Sequence, residues 1–461
     1  MSHHQPDPNK SVNLTIDGKP VTVPEGTRIL EAAKKVNINI PTLCEHPALC
    51  KRALCRICVV EADGRGKLIA ACANDVWEGV SIVTSNQRLF NIRKTIIELI
   101  LANHPQDCLS CIRNNKCELQ SLALSFGVGG SLFDNEAEKQ QPQIEGETLV
   151  RNMDKCVKCG RCVEFCQEVQ TIRAINTSHR SHEYEISTPY KQSLEDGMCV
   201  FCGGCAAVCP VGTIYEHDQT AEVWADLNDS GCKTIAQVSP SFAAALNNEL
   251  SLAKARRSRC QGSVTAGKMI AAIKLLGFDK VYDADISANA ADLEIESEIR
   301  QRKNGGQLPV ISGCSEGIGN FIKNSYPDLV GNLVVAKNSR RTFASMIKTG
   351  YDKITTVSFV PCIAQKYGAG EKVENDFALT AGELARMIKL AGIVIETLPE
   401  EPFDVIGFDS PNLDNSGLPV KKEVVYGFEN ARKVMEAIRG GKCDVQWVEI
   451  YSCPGSCPVE S

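Results

Sequence analysis

Two cysteine runs in the middle of the chain constrain its fold more than any other feature. Each run has the spacing C-x2-C-x2-C-x3-C. A short turn lets three such thiolates face one cubane while the trailing cysteine reaches a second, which is the spacing of paired 4Fe-4S clusters. Zinc sites would need only two spaced pairs and would leave both trailing cysteines unexplained. We predict that one cluster is held by Cys156, Cys159, Cys162 and Cys209, and the other by Cys199, Cys202, Cys205 and Cys166.

The composition excludes several classes of function. A chain of 461 residues with 43% hydrophobic residues is long enough for several domains. Its net charge of -6 argues against a nucleic-acid partner, which normally requires a basic face. The first ten residues are polar and no apolar stretch reaches membrane-spanning length. Twenty-three cysteines without an export signal indicate metal ligands in a reducing compartment, so we expect a cytoplasmic protein with no membrane contact.

The first part of the chain predicts a small sheet followed by a cysteine-rich loop. Residues 12–16 and 20–23 alternate in polarity around Asp17-Gly18, which predicts a hairpin, and Thr27 is placed to cap a helix over residues 29–36. The cysteines that follow fit a 2Fe-2S centre in two ways. One set is Cys44, Cys55, Cys58 and Cys72, and the other replaces Cys44 with Cys50. Spacing alone leaves both sets open.

A second ligand group follows a predicted helix. Apolar residues at helical spacing over residues 91–101 place His104 at a helix end. Three cysteines come next, Cys108, Cys111 and Cys117. One histidine and three cysteines at this spacing fit a zinc site. Residues 122–142 have the composition of a linker. Lys155, Lys158 and Arg161 lie among the first cluster ligands. They either stabilise reduced, more negative clusters or form a solvated basic face, and we expect the solvated face.

The C-terminal half alternates strand and helix patterns, which predicts an α/β domain with mostly parallel strands. Ligands bind at the carboxyl ends of such strands. Cys314 and Cys362 each follow a predicted strand, and Cys453 and Cys457 follow another. Four thiolates on three loops indicate either one cluster site or ordinary structural cysteines. Cys232, Cys260 and Cys443 match no ligand spacing and are expected to be small buried residues.

Two N-terminal motifs, PTLCEHPAL and LCRICVVEA, resemble the 2Fe-2S domain of FeFe-hydrogenases and of the large iron-sulfur subunit of respiratory complex I. The resemblance implies Cys44, not Cys50, as the first ligand. It also implies a 4Fe-4S cluster held by His104 and the three cysteines after it. A neutral imidazole in place of a thiolate makes that cluster less negative, which is expected to raise its potential.

The segments LPVISGCSEGIGNFIKNSYPDL, VSFVPCIAQKYGA and VEIYSCPGSCPVE resemble the catalytic domain of FeFe-hydrogenases. The resemblance implies a fourth 4Fe-4S cluster, held by Cys314, Cys362, Cys453 and Cys457. Gly313 replaces the family's proton-delivering cysteine, Gln365 its lysine and Gly368 its glutamate. Residues 404–420 are shorter than the family's segment, and the sequence after Cys457 lacks its glycine-rich continuation. We therefore expect no diiron subcluster and no catalytic residues.

These observations predict an α+β multidomain chain. Residues 1–90 form a β-grasp 2Fe-2S domain, 91–142 the one-histidine cluster segment, 143–222 a two-cluster ferredoxin-like domain and 223–461 a degenerate hydrogenase-like α/β domain. No glycine-rich dinucleotide fingerprint is present.

The resemblance is closest to the A subunit of Stn-type electron-bifurcating transhydrogenases. It implies an electron-relay role beside an NAD(H)-binding flavoprotein subunit, a further NADPH-oxidising flavoprotein subunit and ferredoxin. The alternatives are a catalytic or sensory FeFe-hydrogenase, and a scaffold whose C-terminal cysteines bind nothing.

Overall fold

The computed structural model describes most of the chain. The described residues are 7, 10–49, 52–63, 67–130, 133, 141–254, 264–303, 305, 308–335, 338–348, 353–368, 376–405 and 420–455. Cys50, Cys260 and Cys457 lie outside these ranges. Within them, no helix is both long and apolar enough to cross a membrane.

The first module, which we call the N-terminal module, is a five-stranded sheet with one helix. Its elements are β1 (Ser11–Ile16), β2 (Lys19–Pro24), α1 (Ile29–Lys35), β3 (Val59–Ala62), β4 (Lys67–Ala70) and β5 (Ser81–Val83). The strand order is β2-β1-β5-β3-β4, with β1 and β5 parallel and the other pairs antiparallel. The predicted hairpin and helix are confirmed. The predicted cap is wrong, because Arg28 occupies the N-cap position and the Thr27 hydroxyl donates to Pro24 O at 2.7 Å.

Two helices carry the histidine module, which spans residues 87–125. They are α2 (Gln87–Ala102) and α3 (Glu118–Ser125). The Asn86 side chain accepts a hydrogen bond from Leu89 N at 2.8 Å and caps α2, which ends shortly before His104. The linker predicted for residues 122–142 is wrong at its start, since α3 continues to Ser125. Leu119 and Ala123 of α3 pack into a core with Ile97, which stabilises this short helix.

The paired cysteine runs lie in the two-run module, residues 143–216. Its elements are β6 (Gln143–Glu145), β7 (Leu149–Arg151), α4 (Arg161–Glu164), β8 (Asn176–Ser178), β9 (Glu185–Ser187), α5 (Gly204–Val208) and β10 (Ile214–Glu216). Each run makes a tight turn at a glycine with positive φ, Gly160 at 77° and Gly203 at 75°. Helices α4 and α5 begin directly after these glycines. Glycine adopts this left-handed conformation without strain, which allows a helix to begin directly after each turn.

The C-terminal domain contains two parallel sheets, as the alternating pattern predicts. One has the order β12-β11-β14-β15 and the other β13-β17-β16. Its strands are β11 (Lys233–Val238), β12 (Lys280–Asp283), β13 (Val310–Gly313), β14 (Ile354–Phe359), β15 (Asp376–Leu379), β16 (Lys422–Tyr426) and β17 (Trp447–Tyr451). Its helices are α6 (Thr220–Leu227), α7 (Phe242–Lys254), α8 (Ala266–Leu275), α9 (Ala284–Arg302), α10 (Gly317–Ser325), α11 (Ser339–Lys348), α12 (Ala381–Leu390) and α13 (Phe428–Arg439).

Candidate iron-sulfur sites

The four cysteines proposed for the 2Fe-2S centre are brought together in the N-terminal module. Cys55 N donates to Cys44 Sγ at 3.5 Å, and Cys58 Sγ lies 3.3 Å from Cys72 Sγ. Hydrogen bonds from the Cys55 and Cys72 side chains lower the pKa of Cys44. The bond to Cys44 in turn raises the pKa of Cys55, as expected for thiols that share protons in a crowded site. The geometry therefore groups Cys44 with the other three.

A buried arginine lies beside this group. Arg93 is 5% exposed, and its Nη2 donates to Val59 O, next to Cys58, at 2.6 Å. Burial lowers the pKa of Arg93, while the charges of Cys58 and Asp17 oppose that shift. The sequence did not reveal this cation, because an arginine on an amphipathic helix is ordinarily a solvated side chain.

The histidine module places His104 just after α2 and Cys117 at the N-cap of α3. The buried Nδ1 of His104 has no hydrogen-bond partner among the described residues. Burial, and then the charge of Lys155, lowers the pKa of His104 and favours the neutral imidazole that a metal requires. Burial raises the pKa of Cys117, to which Cys111 and Cys108 also contribute. A Cβ at Gly212 would lie 2.8 Å from Cys111 Sγ, so only glycine leaves room for this ligand.

The structure brings the cysteines of the two runs near one another. Burial, with a smaller contribution from the charge of Cys209, raises the pKa of Cys156 to about 11 and that of Cys159 to about 12. Burial likewise raises the pKa of Cys202 to about 12, with Cys166 of the other run contributing. The other members of these groups are Cys162, Cys199 and Cys205, whose pKa values burial also raises. The trailing cysteine of each run thus lies near the first three of the other.

Backbone amides point at the sulfur atoms of this module. Ala174 N donates to Cys166 Sγ at 3.2 Å, and Phe201 N donates to Cys199 Sγ at 3.4 Å. Hydrogen bonds to cluster sulfurs raise reduction potentials because they stabilise the added negative charge.

Two of the three cations among the first ligands are buried, so the expectation of a solvated face is wrong for them. Lys155 is 8% exposed and its Nζ contacts Asp107 Oδ2 at 2.9 Å. Arg161 is 5% exposed and forms a bidentate pair with Glu118 at 2.6 and 2.8 Å. Lys158 is exposed, as expected. Packing of the module against its neighbours, which spacing does not encode, buries the other two.

Three C-terminal cysteines meet at the carboxyl ends of parallel strands. Cys314 follows β13, Cys362 follows β14 and Cys453 follows β17. Burial raises the pKa of Cys362 to about 12, and the charges of Cys314 and Cys453 add to that shift. Cys314 Sγ lies 3.8 Å from Ser452 Oγ. Cys457, the predicted fourth ligand, lies outside the described residues.

This C-terminal group lies directly against the second cysteine run. Asn320 Nδ2 is 3.3 Å from Cys199 O and 3.0 Å from Tyr367 Oη, and the Tyr367 ring stacks on Phe201 at 4.0 Å. A Cβ at Gly203 would lie 2.8 Å from Ile363 Cβ, so the segments after Cys202 and after Cys362 touch. The charge of Cys453 also contributes to the raised pKa of Cys202.

The positions that depart from the hydrogenase pattern have little free space. A Cβ at Gly313 would lie 2.3 Å from Ile318 Cγ1, and a Cβ at Gly368 would lie 3.0 Å from Arg340 Nη2. Lys366, next to Gln365, is directed elsewhere, because its fully buried Nζ contacts both carboxylate oxygens of Glu383 at 2.8 Å.

The residues present fit iron-sulfur clusters. The described cysteines proposed as ligands are buried or half-buried, and burial opposes the thiolate form unless a metal supplies positive charge. The buried, unpartnered His104 Nδ1 fits the same chemistry. In the part of the chain that the structure describes, no three or more His, Cys, Asp or Glu side chains are already arranged to hold a metal ion.

Family models cover most of the chain. Residues 9–87 match "2Fe-2S iron-sulfur cluster binding domain", and residues 93–131 match "NADH-ubiquinone oxidoreductase-G iron-sulfur binding region". Residues 146–215 match "NADH-quinone oxidoreductase subunit 3, ferredoxin-like domain". Residues 232–417 and 407–459 match "Iron only hydrogenase large subunit, C-terminal domain".

The NADP-reducing hydrogenase subunit HndD of Solidesulfovibrio fructosivorans is 35% identical over 420 residues, which cover 85% of this chain and 71% of that protein. This chain belongs to the family of hydrogenase-like iron-sulfur subunits. Iron hydrogenase 1 of Clostridium pasteurianum is 28% identical to this hydrogenase-like subunit over 85% of its length and 70% of the relative. The NADPH-Fe(3+) oxidoreductase subunit alpha of Geobacter sulfurreducens is 34% identical over 44% of the subunit, and the match covers 24% of that relative.

Solved structures give weaker matches to the hydrogenase-like subunit. An NAD+-reducing [NiFe]-hydrogenase chain has a TM-score of 0.42 at 28% identity and covers 45% of the subunit and 88% of the matched chain. The [FeFe]-hydrogenase HydA1 of Chlamydomonas reinhardtii has a TM-score of 0.43 at 19% identity, and the match covers 52% of the subunit and 83% of the matched chain. Both scores are below 0.5.

Proposed function

We propose that this chain is the electron-relay subunit of an NAD(P)H-linked flavin and iron-sulfur complex, in the manner of an electron-bifurcating NADPH:NAD+/ferredoxin transhydrogenase. Bound clusters would supply one-electron transfer. The chain's own residues hold, bury and space the ligand groups. The observation that carries the proposal is the continuous contact from the N-terminal cysteines, through the paired runs, to the cysteines of the C-terminal domain.

The proposed ligand sets follow from this grouping. A 2Fe-2S cluster takes Cys44, Cys55, Cys58 and Cys72, and a 4Fe-4S cluster takes His104, Cys108, Cys111 and Cys117. Two more take the paired runs, and a fourth takes Cys314, Cys362, Cys453 and Cys457. The names of the relatives, which include subunits that act on NADP and NADPH, support flavoprotein partners that carry the nucleotide sites.

We propose that the chain does no hydrogen chemistry and has no diiron subcluster. A side chain at Gly313 would collide with Ile318, which supports the absence of the family's proton-delivering cysteine. Lys366, which follows Gln365 in the sequence, is held by Glu383 and Glu216. This supports the view that it does not replace the family's lysine. The alternative of an active or sensory hydrogenase draws on the relatives that are named hydrogenases.

Metal analysis together with hydrogen uptake separates these possibilities. Anaerobically purified chain should contain about eighteen irons, or about fourteen if the C-terminal site binds nothing. The proposal predicts the higher number and no dye-linked hydrogen oxidation. Hydrogen oxidation by the isolated chain would refute the absence of the diiron site, whereas zinc without iron would refute the relay.

A further inference from the structure

One buried guanidinium touches three modules at once. Arg161 lies in the first cysteine run, and its Nη2 donates to Glu45 O of the N-terminal module at 2.8 Å. The same nitrogen and Nη1 donate to the two oxygens of Glu118, in the histidine module, at 2.8 and 2.6 Å. Nη1 also lies 3.4 Å from Val208 O, at the end of the second run. We call this group, Arg161 with Glu45, Glu118 and Val208, the three-module junction.

Every contact of the junction is made one residue from a proposed cluster ligand. Glu45 follows Cys44, Glu118 follows Cys117, Val208 precedes Cys209, and Arg161 itself precedes Cys162. Cys44 belongs to the 2Fe-2S group, Cys117 to the histidine group, and Cys209 and Cys162 to one group of the paired runs. Three ligand groups therefore approach a single side chain.

The geometry of the junction favours arginine over other cations. A planar guanidinium can bind a carboxylate with two parallel hydrogen bonds while its remaining donors reach carbonyl groups, which an ammonium cannot do in fixed directions. Neighbouring polar contacts join only two modules each. Arg52 pairs with Glu164, and Arg113 Nη2 donates to Ala206 O at 2.7 Å.

We propose that Arg161 is a positioning residue that holds three cluster sites around one point and makes this point a branch in the electron path. The inference rests on the proposed function only in that the three modules must hold clusters. The positive charge of Arg161 also favours reduced, more negative clusters on all sides. Glu118, whose side chain is 46% exposed, neutralises this charge. The two side chains together therefore set how strongly the reduced clusters are favoured.

The two charges of the junction predict opposite shifts. Arg161→Gln leaves Glu118 unneutralised, so the midpoint potentials of all three neighbouring clusters should fall. Glu118→Gln keeps an acceptor in place and leaves Arg161 unneutralised, so the same potentials should rise. Lys158→Gln is the matched control, because it removes an exposed cation from the same ligand run and should shift them less.

The experiment is an anaerobic redox titration of the full chain followed by electron paramagnetic resonance, with iron content measured on each sample. We expect both variants to keep the wild-type iron content and to shift the potentials of three clusters in opposite directions. In Arg161→Gln we also expect weaker spin coupling between these clusters. Arg161→Lys should restore part of the potential shift but not the spin coupling, since it lacks the bidentate geometry. If Arg161→Gln loses iron, Glu118→Gln still tests the proposal.

Potentials and spin coupling that do not change in Arg161→Gln and Glu118→Gln would overturn the proposal. A shift confined to one cluster would also overturn it, because that would make Arg161 a local charge and not a junction. Absence of cluster signals in the wild-type chain would refute the cluster assignment itself. Hydrogen activity in the wild type, by contrast, would refute the proposed function and leave the junction intact.

Discussion

Replacing Lys366 with methionine tests a buried ion cluster that joins the two-run module to the C-terminal domain. The side chains of Lys366 and Glu383 are both 0% exposed. Lys366 Nζ lies 2.8 Å from both Glu383 oxygens, 3.1 Å from Glu216 Oε1 and 2.8 Å from His217 O. Methionine has a similar length but no charge, so the substitution leaves Glu383 buried without its cation.

The expected loss in the free energy of unfolding is about 3–5 kcal/mol, the usual cost of removing one partner from a buried ion pair. Glu383 cannot turn toward solvent without further loss, because it also accepts hydrogen bonds from Thr380 N at 2.8 Å and Gln219 N at 3.0 Å. Arg386→Met is the matched control. Arg386 pairs with Asp218 across the same boundary at 2.8 Å, but these side chains are 39% and 38% exposed, so we expect a loss of at most about 1 kcal/mol.

The assay is anaerobic denaturant unfolding of the cluster-loaded chain, followed by circular dichroism and by cluster absorbance. Glu383→Gln added to Lys366→Met should recover part of the loss, because it neutralises the stranded carboxylate. Equal losses in the free energy of unfolding for Lys366→Met and Arg386→Met would show that the buried ion pair contributes no more than the exposed one. No recovery in the double variant would show that the stranded Glu383 carboxylate is not the cause of the loss.

Four further predictions concern charge, space and ligands. Burial raises the pKa of Glu216 from 4.5 to about 7, so the folded state binds this proton more tightly and stability should fall by up to about 1.4 kcal/mol per pH unit between these values. The thermal midpoints of the wild type and Glu216→Gln are measured from pH 6 to 8. The midpoint should fall as the pH rises to about 7 in the wild type but not in Glu216→Gln, and an equal change of midpoint with pH in both proteins would contradict this. Gly313→Cys should lower the thermal midpoint without producing hydrogen activity, and Ile318→Ala in the same chain should recover the midpoint; an unchanged midpoint would show that the site has room. His104→Cys should lower the midpoint potential of one cluster, because a thiolate adds negative charge, and an unshifted redox titration would remove His104 from the ligands. Cys362→Ser should reduce the iron content by about four per chain, and an unchanged content would leave the C-terminal site without a cluster.

Ligand groups could be predicted from the sequence where the ligands are near one another in the chain. Cys156, Cys159 and Cys162 fall on one tight turn, so their spacing alone indicates a shared cubane. The strands that end at Cys314 and Cys362 could also be predicted, because buried parallel strands have continuous apolar runs. In both cases a local pattern encodes the structure.

The environment of the ligands could not be predicted in the same way. Arg161 and Glu45 are 116 residues apart in the sequence, and their contact exists only because two modules pack together. Lys155 was likewise expected in solvent but is buried against Asp107. Helix α9 could not be predicted in this way, because its sequence is highly charged and its buried side chains along 19 residues are Ser287, Ala291, Ile295 and Ile299.

We propose that this chain relays electrons on a hydrogenase scaffold without hydrogen chemistry. The most direct measurement is purification of the chain with its native partners, followed by assays for hydrogen uptake and for NADPH-dependent reduction of NAD+ and ferredoxin by the same complex. We expect transhydrogenation without hydrogen uptake. Hydrogen uptake by the complex that requires this chain would contradict it.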